Sequence, residues 1–108
     1  MALTTNTQSN ANGVSNFAVG KVVTDGGAAA ATTFTLGFVP RKVKFVNLTD
    51  RITDEWFEGM TSASSLHAVA GGTLTLETTN GIAVAGNTFT VTATTIPASK
   101  TFYWEAYA

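Results

Sequence analysis

The chain has 108 residues, no cysteine and a formal net charge of −1, which suits one domain with a single core and excludes a disulfide framework or a thiolate metal site. Charged residues make up 12%, about half of the roughly 25% usual in soluble domains. That leaves no basic surplus to neutralise nucleic-acid phosphates, and no stretch approaches the ~20 apolar residues of a membrane helix.

Thr and Ala are abundant and Gly frequent, while Leu, Glu and Lys are scarce. Thr and Val suit a pleated surface, and the scarce residues are the usual material of amphipathic helices. Residues 1–13 (MALTTNTQSNANG) are polar and have almost nothing to bury, so a flexible arm is expected there. The run has neither the basic nor the apolar region of a signal peptide, and the chain is expected to act without secretion. Residues 14–108 are expected to form one β domain.

Within that domain, Phe17, Val19 and Val23 share one parity with Lys21 between them, and Ala18, Gly20, Val22 and Thr24 share the other. This reads as a mixed strand near a sheet edge. Asp25-Gly26-Gly27 ends it, and Ala28 to Ala31 is too short to nucleate a helix, so it reads as a loop. Phe34, Leu36 and Phe38 alternate with Thr33, Thr35 and Gly37, a strand with one buried face closed by Pro40. Residues 42–49 begin half-exposed and are expected to end mostly covered, through Val46 and Leu48. Asp50-Arg51 is a break, and residues 51–58 return as a strand in which Ile52 and Trp56 share a parity with Asp54 and Glu58. Phe57 lies opposite, with Arg51, Thr53 and Glu55.

Gly59 to Ser65 reads as a polar loop and Leu66 to Ala70 as a short strand. Leu74 and Leu76 alternate with Thr73, Thr75 and Glu77, another half-buried strand. Asn80-Gly81 and Gly86-Asn87 are turn signals on either side of residues 82–85. Phe89 and Val91 alternate with threonines, Pro97 ends that element, and residues 100–107 form the last strand. There Phe102, Trp104 and Ala106 face one way and Tyr103, Glu105 and Tyr107 the other. About seven or eight short strands with regular turns predict an all-β fold, an antiparallel sandwich or small barrel.

The residues offer little for catalysis. His67 is the sole histidine, and Ser62, Ser64 and Ser65 beside it lack the Gly-x-Ser-x-Gly elbow of a nucleophile. Asp50, Asp54, Glu55 and Glu58 form the densest acidic group, but without the Gly and closing Glu of a calcium loop. Gly71-Gly72-Thr73 has no phosphate-loop Lys. No catalytic residue, metal ligand or cofactor is expected, and the chain is read as a non-enzyme.

Large rings on both faces of the same strands point elsewhere. Trp56 and Phe57 point opposite ways, and Tyr103 and Tyr107 face away from the core side of the last strand, so rings are left over after one interior is filled. With the basic run at Arg41, Lys42 and Lys44, which is either a solvated turn flank or a patch for acidic groups, these rings are the candidate protein interface.

Three segments, residues 37–60 (GFVPRKVKFVNLTDRITDEWFEGM), 76–92 (LETTNGIAVAGNTFTVT) and 100–107 (KTFYWEAY), resemble small structural proteins of tailed bacteriophages, in particular head decoration or cement proteins. The resemblance implies a β-rich module, made in the bacterial host cytoplasm and carried in the virion, that binds the major capsid protein or another virion protein. It implies a homo-oligomer, trimer or dimer, with no membrane or nucleic-acid partner. No individual site residue carries over from the family. The alternative is a carbohydrate- or receptor-binding module on a phage tail or capsid surface, in which exposed rings stack on sugars.

Overall fold

The computed structural model describes residues 2–10 and 16–108, and among these no residue is helical. Nine strands follow one another: β1 (Leu3–Asn10), β2 (Phe17–Thr24), β3 (Thr32–Thr35), β4 (Lys42–Asn47), β5 (Ile52–Phe57), β6 (Ser64–Ala68), β7 (Leu74–Ala85), β8 (Thr88–Val91) and β9 (Thr101–Tyr107). They form one antiparallel sheet in the order β1-β2-β9-β4-β5-β6-β7-β8-β3. From β4 to β8 the chain is a meander. β9 returns to lie between β2 and β4, and β3 is carried to the far edge beside β8.

The sheet curls into a half-barrel, because its far end folds back over the middle and buries one face. Phe34 on β3 packs against Phe89 of β8 at 4.9 Å between ring centres, and against Trp104 of β9 and Phe45 of β4 at 5.6 and 6.1 Å. Phe45 stacks on Phe102, and Ile96, from the connection before β9, plugs the same interior. Strict alternation serves this core: β4 buries Val43, Phe45 and Asn47, and β9 buries Phe102, Trp104 and Ala106.

Two glycines make the curl possible. Gly20 pairs with Trp104 across β2 and β9, and a Cβ there would stand 2.4 Å from the indole. β7 pairs first with β6 and then with β8, and it bends between the two. Ser65 is opposite Glu77 while Ser64 is opposite Ile82, so residues 78–81 are extra on the β7 side, a large bulge. Gly81 sits in that bend against the Ser64 backbone, where a Cβ would come within 2.4 Å of the carbonyl carbon. The Asn80-Gly81 pair, expected as a turn between two strands, is therefore a bend within one. The Glu77 carboxylate secures it by accepting the Asn80 and Thr79 N–H groups, and these bonds hold its pKa below the ordinary value.

Other expectations are met or adjusted by neighbours. Residues 28–31 are loop, and Gly86-Asn87 does link two strands as a tight hairpin. Leu48 is exposed and Asn47 buried, the reverse of the expected end of β4, because the Asn47 amide binds both the Asp50 carboxylate and its N–H. β6 begins at Ser64, inside the expected loop.

Residues 3–10 of the polar N-terminal segment lie along β2 as the edge strand. Main-chain bonds make this pairing, the Thr4 hydroxyl donates to the Val23 carbonyl at 3.0 Å, and Leu3 packs against the core. The rest of the expected arm, Met1 and residues 11–13, lies outside the described residues. Asp25 fastens the start of β1: its Oδ1 accepts the Ala2 and Gly27 N–H groups, each at 2.9 Å, while Asp25 N–H donates to the Ala2 carbonyl.

Gly20→Ala and Gly81→Ala should each destabilise the fold by about 1–3 kcal/mol in urea titrations, as overpacking does. Gly81→Ala should cost more, since it meets backbone. Gly37→Ala, with open space around it, should cost nothing measurable. The Ala2 and Gly27 bonds lower the Asp25 pKa from the ordinary 3.8. The stability they give is thus complete above that value and lost as pH falls through the folded pKa. Asp25→Ala at neutral pH should mimic that loss, with faster hydrogen exchange of β1 amides while β4 and β9 stay protected.

Candidate functional site

Once one parity of each strand has entered the core, the other stands outside, and the register aligns these residues in rows. Phe17, Tyr107, Lys42 and Phe57 sit side by side on β2, β9, β4 and β5. The next row runs Val19, Glu105, Lys44, Glu55, Leu66 and Leu76, and a third runs Lys21, Tyr103, Val46, Thr53, Ala68 and Leu74. Among the described residues, most of the exposed large apolar side chains belong to these rows, including Phe57 at 43%, Tyr103 at 42% and Leu76 at 66% exposure. The remainder, Val39, Leu48 and Val69, are scattered in loops. These exposed rings and leucines, with Lys42, Lys44, Glu55 and Glu105 between them, make this face the candidate interaction surface.

The face is ordered within itself. Phe17 and Tyr107 stack at 6.2 Å, and the Lys42 and Lys21 ammonium groups lie 5.7 and 5.8 Å from the Phe57 and Tyr103 ring centres. The Tyr107 hydroxyl donates to Glu105 at 3.0 Å, and this bond, with the carboxylate's charge, raises the phenol pKa. Among the described residues, Lys21, Lys42, Lys44 and Glu55 belong to no ion pair, although opposite charges stand on adjoining strands.

Of the expected interface residues, Lys42, Lys44, Phe57, Tyr103 and Tyr107 therefore come together on one face. Arg41 stands at its end, ion-paired to Glu58 at 3.8 Å with both side chains well exposed. Trp56 does not join them: it is 7% exposed, on the core side of β5, because it shares the parity of buried Asp54. Sequence reasoning missed Phe17, Val19, Leu66, Leu74 and Leu76. Their alternation was visible, but the leucines of β7 turn outward, the reverse of a half-buried strand facing the core.

On the β1-β2-β9-β4 side the face is hollowed into a groove of about 540 Å3. Val19, Val46 and Tyr103 supply its apolar surface, and Thr7, Lys21, Lys44 and Glu105 its polar groups.

A second concavity, about 230 Å3, opens on the inner side between β5, β6 and the bend of β7. Asp54, 2% exposed, accepts the Ser65 hydroxyl at 2.7 Å on the same Oδ1 that lies 2.9 Å from His67 Nδ1. Ser65 is fully buried and gives its proton to the carboxylate. A nucleophile relay needs the hydroxyl on the imidazole instead, so this trio is a structural knot that satisfies a buried acid. The other acids disperse: Asp50 pairs with Lys100 at 3.1 Å, Glu55 is on the outer face and Glu58 binds Arg41. Among the described residues no group of three His, Asp or Glu side chains is placed to hold a metal ion.

Comparison with known proteins returns no match among family models, curated proteins or solved structures.

Ser65→Ala removes one of the two partners of buried Asp54 and should lower the unfolding free energy by about 1–3 kcal/mol. Urea titration at neutral pH checks this, and a loss below about 0.5 kcal/mol, the range of ordinary surface changes, would show that the hydroxyl is not needed.

Proposed function

We propose that this chain is a structural protein that holds other protein subunits through the outer face of its sheet, as a head decoration or cement protein of a tailed bacteriophage does. The observation that carries the reading is the concentration of exposed Phe, Tyr and Leu side chains on a single face of ordered strands. Taking such a side chain from water to full burial releases roughly 1.5–3 kcal/mol, and at 38–66% exposure each still offers about half of that, so several together suffice for a lasting contact. The lysines and Glu55 among them, which belong to no ion pair among the described residues, give that contact orientation. The phage assignment rests on the resemblance of residues 37–60, 76–92 and 100–107, and the capsid lattice is the partner it implies. In this role the chain makes contacts and performs no reaction.

One observation favours a second reading. The groove beside β9 presents a single exposed ring, Tyr103, flanked by Lys21, Lys44 and Glu105, which is how a sugar ring is stacked and hydrogen-bonded. The outer face is wider than the groove and its leucines lie beyond it, so subunit binding accounts for more of the surface.

Particles carrying the protein should survive heating or chelation that disrupts particles lacking it. Phe57→Ser with Tyr103→Ser should abolish that protection while leaving the isolated chain folded, since exposed positions contribute within about 0.5 kcal/mol. Equal survival with and without the protein would end the structural reading. Retention of a glycan on an array, lost in Tyr103→Ala, would replace it with the saccharide reading.

A further inference from the structure

We infer that the groove on the β1-β2-β9-β4 side holds an extended acidic segment of the subunit that the outer face binds, with carboxylates two residues apart reaching Lys44 and Lys21. The inference rests on the reading of that face as a subunit contact and states the chemistry of the part that enters the groove.

The distribution of charge carries it. On β2, β9 and β4 the charged residues are Lys21, Lys42 and Lys44 against Glu105 alone, and all four stand on the outer face. That is a surplus of two positive charges on a chain whose formal net charge is −1, so the rest of the chain sums to −3. The other cations are engaged: Arg41 pairs with Glu58, Lys100 with Asp50, and Arg51 donates to the Thr49 carbonyl. Lys21, Lys42 and Lys44 belong to no ion pair among the described residues. Glu105 accepts the Tyr107 hydroxyl instead. A cationic island on an acidic chain selects an anionic partner and steers it into place.

Geometry gives that partner its form. Lys44 and Lys21 flank β9 on opposite sides in successive rows, Lys44 beside Glu105 and Lys21 beside Tyr103. Successive rows are two residues apart, about 6.8 Å at ~3.4 Å per residue. The same distance separates side chains i and i+2 on one face of an extended segment. A segment running along β9 thus turns one carboxylate toward Lys44 and the next toward Lys21, and its apolar neighbours meet Val19, Val46 and the exposed Tyr103 ring. The groove, about 540 Å3, is of a size that encloses a short stretch of chain. Two surplus charges neutralise too few phosphates for a nucleic acid, and a neutral sugar leaves both ammonium groups without a counter-charge.

Fluorescence anisotropy with the labelled peptide FTETETF, whose glutamates share one face when extended, tests this on the full chain. It should bind saturably at low salt and weaken as salt rises, with FTQTQTF at least about tenfold weaker and FTKTKTF not bound. Lys21→Glu and Lys44→Glu should each weaken it at least about tenfold. Glu105→Gln, which removes the groove's one carboxylate, should tighten it, an effect that damage to the fold does not produce. Leu76→Ser, outside the groove, should change nothing. Circular dichroism confirms folding, and if a reversal unfolds the chain, Lys21→Gln with Lys44→Gln replaces it. No saturable binding at millimolar peptide, equal binding of the three peptides, or indifference to the lysine variants overturns the inference. Tighter binding of an oligogalacturonate than of FTETETF overturns the protein segment in favour of an acidic saccharide. Failure here leaves the subunit-holding reading standing, because particle survival decides that separately.

Discussion

The structure depends on one contact: the rings of β3 and β8 folded onto the rings of β9 and β4. A single sheet has no second layer to cover it, so it must cover itself. Phe34 and Phe89 do so by meeting Trp104 in tilted and edge-on geometries, at 5.6 and 5.1 Å. Pairs of this kind contribute about 0.5–1.5 kcal/mol beyond the area they bury. The contact needs room and curvature. Gly20 leaves space for the Trp104 indole, and the Gly81 bend turns β7 far enough to bring β8 and β3 over the middle of the sheet. Among the described residues, no acceptor meets the buried indole N–H groups of Trp56 and Trp104.

Closure of the inner face fixes the outer one. Strand residues alternate by geometry, so burying Phe102, Trp104 and Ala106 obliges Tyr103, Glu105 and Tyr107 to stand outside. The same holds on β4, where burying Val43 and Phe45 puts Lys42, Lys44 and Val46 on the surface. An ordinary soluble sheet fills such positions with charge. Here several hold rings and leucines, which is where the chain's low proportion of charged residues is felt.

The alternation itself was legible wherever a strand has one face in the core, as in β3, β8 and β9. β2 was legible even as a near-edge strand, from its mixed parities. What alternation leaves open is which parity is inside, and that is settled by neighbours far away in sequence. Asp54 and Trp56 go inward together because Ser65 and His67 supply partners for the acid. Leu74 and Leu76 stand on the outer rows through their register with Ala68 and Leu66, in a stretch of β7 where Thr75 is exposed too. The β1 pairing was not legible in a polar segment, because its ladder is made by main-chain groups that every residue carries. Asn80-Gly81 looked like a turn for a sound reason, as the same freedom that suits a turn suits a bulge pressed against another backbone. Parity alone picked out Lys42, Lys44, Phe57, Tyr103 and Tyr107, but which strands set them side by side was not legible, since the face joins β2 to β9 and β9 to β4 across most of the chain's length.

The two ends of the sheet are held differently, and this bears on what a contact on the outer face does. The centre is secured by buried rings. The β6–β7 hairpin, by contrast, has a polar inner side knotted at Asp54 and leaves Leu66, Leu74 and Leu76 in solvent, while β1 hangs by main-chain bonds and the Asp25 clamp. The apolar burial that these strands forgo on folding stays available to whatever covers the face. A subunit bound there and not to the unfolded chain stabilises the fold by mass action. Because the leucines lie at the less secured end, that stabilisation falls mainly on strands that would otherwise open first. In the proposed role, binding and local ordering would be coupled through the same side chains.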